Sequence, residues 1–115
     1  MESKAKRTLV KSAPEVWELA SDLERTETWT AGVVGADRRV PVEVTDSEAE
    51  RILVWRSTDP EAYARIALEL TESGFGTAVR ITAQHTRHDA ARADNALEGL
   101  LDELSAPERR PFTAA

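Results

Sequence analysis

The chain has 115 residues and a formal net charge of −6, with 21 acidic and 15 basic side chains and no cysteine. This length predicts one domain over residues 1–115, of which 106–115 form a flexible tail. The absence of cysteine excludes disulfides and thiolate sites, and His85 and His88 are too few for a histidine-rich metal site, so no metal or cofactor is expected. The acidic charge argues against a nucleic-acid partner, and the absence of a signal peptide or a long apolar run predicts a cytoplasmic protein without membrane insertion.

The first third of the sequence predicts one strand and two short helices. Residues 4–11 alternate between polar and apolar side chains, which is typical of a strand. Ser12 and Glu15 have the spacing of a capping box, in which each would bond the backbone N–H of the other. The apolar stripe of the first helix follows at spacings of three and four: Val16, Leu19, Ala20 and Leu23. Residues 24–29 are predicted to form a second short helix or a turn.

The middle of the sequence predicts a meander of four further strands. Gly32 and Gly35 are expected to loosen the chain before it, and Pro41 indicates that the first of these strands lies near an edge of the sheet. A polar cluster at 45–48 is predicted to be a turn. The segment Ser73-Gly74-Phe75-Gly76 predicts a tight hairpin with one glycine at positive φ. The four strands are predicted over residues 40–44, 51–57, 63–72 and 76–86.

The last part of the sequence predicts one amphipathic helix, which Asp89 caps. Its buried stripe consists of apolar residues three and four apart: Ala93, Ala96, Leu97, Leu100, Leu101 and Leu104. Glu98 and Asp102 fall on the opposite side and are expected to be solvated charges. Gly99, in the middle of the helix, is either a point of close approach for a ligand or another helix, or a tolerated surface glycine.

The order of these elements predicts an α+β fold. A meander of strands curls into a sheet, and the last helix is large enough to cover its concave face. We therefore expect a curved antiparallel sheet of about five strands, with two short helices after the first strand and the C-terminal helix packed across the concave face.

Three segments of the chain have counterparts in a known family. Residues 10–24, VKSAPEVWELASDLE, run from a strand into two helices; residues 51–55, RILVW, form a mid-sheet strand; residues 74–82, GFGTAVRIT, form a hairpin. Together they resemble the START-related helix-grip superfamily (SRPBCC), in its polyketide cyclase/dehydrase-like branch. The resemblance spans residues 5–105. It implies a helix-grip fold that binds a small molecule between the sheet and the last helix.

The sequence departs from this family at residues 30–38, where the family usually has a further hairpin. The segment is too short for two strands and a turn, which predicts about five strands in place of the family's usual seven. A shorter sheet has a smaller or more open cavity and an unusual edge. Such an edge favours pairing with a second copy of the chain.

Seven residues are candidates for a ligand-binding site: Trp29, Trp55, Tyr63, Ile81, His85, Leu97 and Leu101. His85 falls on the apolar face of its strand, where an imidazole could orient a ligand or act as an acid or base. We expect this imidazole to be partly exposed at the end of the strand, without a carboxylate partner, and His88 to be solvated. The aromatic side chains could line the mouth of a cavity, although tryptophans in so small a chain commonly belong to the core.

These observations leave three functions open. The first is binding of a small hydrophobic or aromatic molecule in a cleft between the sheet and the C-terminal helix. The second is an enzyme of the polyketide cyclase/dehydratase kind, a lyase or isomerase that uses His85, on analogy with the family alone. The third is an interaction module without a ligand, which forms a homodimer or binds another protein through the exposed sheet edge. A large cavity would favour the first two, and a filled core with a symmetric interface would favour the third.

Overall fold

A computed structural model describes residues 2–59, 63–74, 76–85 and 90–106 of the chain. The predicted cap at Asp89, the loop residue His88 and the tail from residue 107 onward lie outside these residues. No helix in the described ranges has both the length and the apolar character that a membrane crossing requires. The elements in chain order are β1 (Glu2–Leu9), α1 (Ala13–Ala20), α2 (Leu23–Val34), β2 (Val42–Glu48), β3 (Ile52–Ser57), β4 (Ala64–Ser73), β5 (Gly76–His85) and α3 (Ala90–Ser105).

The described strands form one antiparallel sheet in the order β1-β5-β4-β3-β2, so β4 is central and β1 and β2 are the edges. This is the predicted α+β architecture with five strands. The predicted hairpin is confirmed, because Ser73 pairs with Gly76 across the turn and Gly74 has a φ of 58°. At Gly76 the requirement is different, since a Cβ there would lie 1.8 Å from the carbonyl oxygen of Leu9. The end of β1 thus approaches the start of β5 more closely than a side chain permits.

The first strand of the meander differs from its prediction. β2 spans Val42–Glu48, so the predicted turn at 45–48 is wrong. The chain turns instead at residues 49–51, where Glu50 has a φ of 64°, and a bulge interrupts the pairing of β2 with β3. After its first residue, this edge strand is exposed on both faces. Its polar residues therefore show no alternation of apolar and polar side chains from which a strand could be predicted.

α1 begins where the capping box predicts, but α2 begins at Leu23 and is longer than predicted. The placement of Leu23 in the apolar stripe of the first helix is wrong, because α1 ends at Ala20 and Leu23 is 56% exposed in the first turn of α2. Both halves of the capping box are present, since Ser12 Oγ accepts from the Glu15 N–H and Glu15 Oε1 accepts from the Ser12 N–H at 3.1 Å. The pKa of Glu15 is lowered because its carboxylate accepts two hydrogen bonds from Ser12. The bond from the side chain has the larger effect, and the bond from the backbone N–H the smaller. Gly32 does not loosen the chain but lies inside α2. The helix ends at Gly35, which has a left-handed φ of 80°.

One face of the sheet, called the inner face below, carries the core and is covered by the three helices of the described chain. Along β4 and β5 buried and exposed side chains alternate, as the sequence predicted. The largest fully buried side chains come from both layers: Leu9, Val16, Val33, Trp55, Ile66, Leu68, Val79, Ile81, Leu97, Leu100, Leu101 and Leu104. Burial of these apolar surfaces against one another is the main force that holds α3 on the sheet.

Arg7, on the inner face of β1, links this edge strand to α3. Its guanidinium nitrogens lie 2.6 Å from Asp102 Oδ1 and 2.7 Å from Glu98 Oε1. The pKa of Arg7 is raised because both acids stabilise its charged form. The hydrogen bond to Asp102 has the larger effect, and the bond to Glu98 the smaller. The two carboxylates are exposed, as predicted, but they are not free charges, because two acids four residues apart on a helix can hold both arms of one guanidinium. A Cβ on Gly99 would meet no atom, so this residue is a tolerated surface glycine.

Candidate functional site

The inner face is apolar at its centre and polar at one end. His85 pairs with Ala64 across β5 and β4, and Ser57 ends β3 in the same row. Ser3 on β1 pairs with Ala83, which lies on the same face of β5 as His85 and two residues closer to the centre of the sheet. Although Ser3, Ser57 and His85 are polar, they are only 3%, 6% and 3% exposed. We call these three residues the polar end.

The side chains of the polar end are held by hydrogen bonds. Ser3 Oγ and His85 Nε2 are 3.0 Å apart and share a buried hydrogen bond. Ser57 Oγ accepts from the backbone N–H of Ala64 at 3.0 Å. A hydroxyl and an imidazole at the end of an apolar surface are able to orient a hydroxyl or carbonyl group of an otherwise apolar ligand.

The expectation that His85 is partly exposed is wrong. The predicted first strand began at residue 4, whereas β1 begins at Glu2, and its extra residues extend the pairing to Gln84. Ser3 consequently lies beside the imidazole and shields it from solvent.

Trp29 and Trp55 form the aromatic part of the core, and Trp55 lies in the same row of the sheet as Ser3, through Ile66 and Ala83. Their ring centroids are 6.4 Å apart and the rings are tilted by 38°. Trp55 Nε1 donates to Thr30 Oγ1 at 2.8 Å, and Trp29 Nε1 donates to Glu103 Oε2 at 3.0 Å. Because protein atoms accept both indole N–H groups, these tryptophans present rings and edges to their surroundings rather than free donors.

The middle of the core is closed. Trp55, Ile81, Leu97 and Leu101 each have 0% exposure, so none of them borders a space that admits a water molecule. Tyr63 differs from them, because it is 39% exposed. It lines an open groove of about 320 Å³, which Ser57 of the polar end also borders. The structure therefore joins the apolar candidates and the tryptophans in one core, places His85 at its end and leaves Tyr63 at the rim.

Sequence reasoning missed Ser3, Ser57, Thr30 and Glu103 as parts of this region. The strand alternation could have marked Ser57, which shares the parity of Trp55 along β3. Thr30 and Glu103 carried no signal, because their importance depends on which indole each one meets in the folded chain. Among the residues that the structure describes, no three acidic or histidine side chains are grouped so as to hold a metal ion.

No family model matches the sequence, and no curated protein matches it. Solved structures do match. The Aha1 dimer from Colwellia psychrerythraea is 18% identical with a TM-score of 0.66, and the match covers 91% of this chain and 96% of that one. CalU16 from Micromonospora echinospora is 16% identical with a TM-score of 0.64, covering 92% and 76%.

The chain has the helix-grip fold. DynU16, a protein from the dynemicin biosynthetic locus, supports the same architecture with 16% identity and a TM-score of 0.56, and the match covers 88% of this chain and 43% of that one. At such identities the likeness concerns the path of the backbone, and the chemistry has to be argued from the side chains of this chain.

Proposed function

We propose that the protein binds a small hydrophobic or aromatic molecule between the sheet and α3, at the polar end of the inner face. The observation that carries this proposal is the gathering of three buried polar side chains at one end of an apolar surface. Such a surface suits a ligand that has an apolar body and one polar group. In this arrangement Ile81, Leu97 and Leu101 contact the apolar body, while His85 and Ser3 bind the polar group.

Two further considerations support the proposal. The helix-grip fold, together with the sequence resemblance of residues 10–24, 51–55 and 74–82, leads us to infer that the chain is an SRPBCC-type protein. One of its structural neighbours, DynU16, comes from a biosynthetic locus. We infer that a small organic molecule is the natural ligand of this chain as well.

The closed core determines where the ligand enters. Trp55, Ile81 and Leu101 have no accessible surface, so the centre has no room for a ligand while α3 stays in place. The chain passes from β3 to β4 and from β5 to α3 at the end of the sheet where His85 lies. The groove beside Tyr63 adjoins this end. The ligand accordingly enters there, and deeper binding requires the first turns of α3 to move away from the sheet.

Titration with the aromatic dye anilinonaphthalene sulfonate, followed by fluorescence and by NMR shift mapping, tests this proposal. We expect saturable binding, with the largest amide shifts at residues 81–85 and 93–97. Native mass spectrometry of the freshly purified protein would reveal a ligand that co-purifies. Saturable binding whose shifts are confined to other surfaces, or no binding at all, would refute the proposed site.

A matched pair of variants sharpens the test. Ala83→Leu places a larger side chain on the inner face beside Ser3, whereas Thr82→Leu places one on the opposite face. We expect Ala83→Leu to weaken dye binding about tenfold or more and Thr82→Leu to leave it unchanged, with circular dichroism showing that both variants fold. The enzymatic alternative predicts in addition that a co-purified ligand is converted, and that His85→Gln stops conversion but not binding.

A homodimer through the sheet edge is a second candidate function. β2 is an edge strand, and Val44 on it is 52% exposed. Glu43, Asp46 and Glu48 weaken a symmetric pairing of two β2 strands, because they bring like charges together. Native mass spectrometry tests this function with two variants. A dimer that Val44→Lys dissociates would establish it, provided that Val10→Lys, at a side chain that is 90% exposed, leaves the dimer intact.

A further inference from the structure

The face of the sheet opposite to the core carries an unusual pair of cations. Lys6 on β1 lies directly across from Arg80 on β5, and both side chains are exposed. Like charges at opposed positions of an antiparallel pair destabilise a sheet. Neither cation makes an ion pair with a carboxylate of the described residues. The fold therefore keeps two positive charges side by side, with Glu69 as the carboxylate directly across from Arg80, in a chain whose net charge is −6.

These cations border a groove of about 480 Å³ on the outer face. Its floor includes Ala78, whose small side chain lies between Thr8 on β1 and Thr71 on β4. Glu69, opposite Arg80, lies on the far rim. Arg7 also borders the groove, but its side chain lies on the inner face, where it pairs with Glu98 and Asp102. Two cations thus face one carboxylate, with two hydroxyls in reach of a bound group.

We propose that this groove binds an acidic segment of a partner protein, whose aspartate or glutamate side chain lies between Lys6 and Arg80. The carboxylate accepts hydrogen bonds from the ammonium and guanidinium groups and from the threonine hydroxyls. Lys4, two residues along β1 on the same face, already pairs with Glu2 at 3.6 Å, so Lys6 and Arg80 provide the main positive charge of the groove. This surface lies on the other side of the sheet from the polar end and is independent of ligand binding there.

The size of exposed ion pairs favours a peptide over a free anion. Each exposed pair contributes only about 0–1 kcal/mol, so a single free carboxylate or phosphate gains too little to be held. A peptide that places several acidic residues along β1 and β5 adds these contributions within one molecule. A nucleic acid extends far beyond the groove and meets the acidic remainder of the chain, which repels its phosphates.

A fluorescein-labelled hexaglutamate peptide tests the proposal by anisotropy, with hexaglutamine as the neutral control. The double variant Lys6→Gln/Arg80→Gln is compared with Arg38→Gln/Arg65→Gln, which removes the same amount of charge from exposed sites outside the groove. We expect the groove variant to weaken hexaglutamate binding at least tenfold and the control to change it less than threefold. The groove variant should unfold at a similar denaturant concentration, because it removes both the repulsion between Lys6 and Arg80 and the attraction of Arg80 to Glu69.

The lysines of the chain provide an independent measurement. They are Lys4, Lys6 and Lys11, so carbodiimide coupling of the peptide carboxylates reports which amine lies closest. We expect adducts on Lys6 and Lys4 in preference to Lys11. Absence of hexaglutamate binding at low salt, equal weakening by both double variants, or preferential coupling to Lys11 would overturn the proposal. Displacement of the peptide by millimolar phosphate would overturn it in favour of a small anion, and tighter binding of single-stranded DNA would overturn it in favour of nucleic acid.

Discussion

Gly76 and Gly99 show how differently two glycines of one chain can be constrained. A Cβ at Gly76 would lie 1.8 Å from Leu9 O, whereas a Cβ at Gly99 meets no atom. We expect Gly76→Ala to destabilise the protein by about 1–3 kcal/mol or more, since a strand end must move. Gly99→Ala should instead stabilise it by about 0.5–1 kcal/mol, because alanine favours the helical backbone. Urea unfolding midpoints measure both effects, and a loss of stability in Gly99→Ala would show that its surface is not free.

The residues of the candidate site differ in how far the sequence predicts them. The alternation of β5 places His85 on the same face as Ile81, and the structure agrees. Its burial could not be predicted, because the shielding residue Ser3 is remote in sequence and joins it through strand pairing. Glu98 and Asp102 were likewise interpreted on α3 alone, whereas their role depends on Arg7 from β1. Periodicity predicts the face of a residue, but not which distant residue will meet it.

At the scale of elements, a buried side-chain hydrogen bond joins α2 to the sheet. Trp55 Nε1 donates to Thr30 Oγ1, and both residues have 0% exposure. Thr30→Val keeps the shape of the side chain but leaves the indole N–H unsatisfied, which should cost about 1–3 kcal/mol. Thr28→Val is the matched control, since Thr28 is on the same helix and exposed, and its effect should stay within about 0.5 kcal/mol. Equal effects of the two substitutions in urea unfolding would contradict the proposed attachment.

The bounds of elements are predicted where a capping or turn motif marks them. Ser12 and Glu15 fix the start of α1, and the glycine turn fixes the β4–β5 hairpin. Gly32 was misleading, because it continues α2 close to α3, where an added Cβ would lie 3.5 Å from Ala96 Cβ. The end of β2 was missed for a related reason. Pairing with β3 holds its polar residues in a strand that their own sequence does not favour.

At the scale of the whole molecule, the short sheet changes what the helices do. In the part of the chain that the structure describes, five strands form the sheet, and α2 as well as α3 packs against their inner face. The space that the resemblance would assign to a ligand is occupied by Trp29, Trp55 and the leucines of α3. The fold was predictable from the order of the elements. The closed core was not, because it depends on how α1, α2 and α3 pack side by side on the inner face of the sheet. Ligand binding and the mobility of α3 are consequently coupled in the function proposed above.

The dependence of the whole fold on α3 can be measured directly. Leu97, Leu100, Leu101 and Leu104 are at most 1% exposed, and a fully buried leucine contributes about 1.5–3 kcal/mol. Their sum is comparable to the entire stability of a small domain, so a chain that lacks everything from residue 89 onward should be unfolded.

Because a truncated chain can fail for several reasons, the point substitution Leu101→Ala provides the graded test. We expect it to cost about 2–5 kcal/mol, through lost contacts and the cavity that remains. Leu23→Ala removes the same atoms from a side chain that is 56% exposed, and it should cost less than about 1 kcal/mol. A truncated chain that unfolds cooperatively at the midpoint of the full chain, or a Leu101→Ala variant no less stable than Leu23→Ala, would mean that α3 does not hold the sheet.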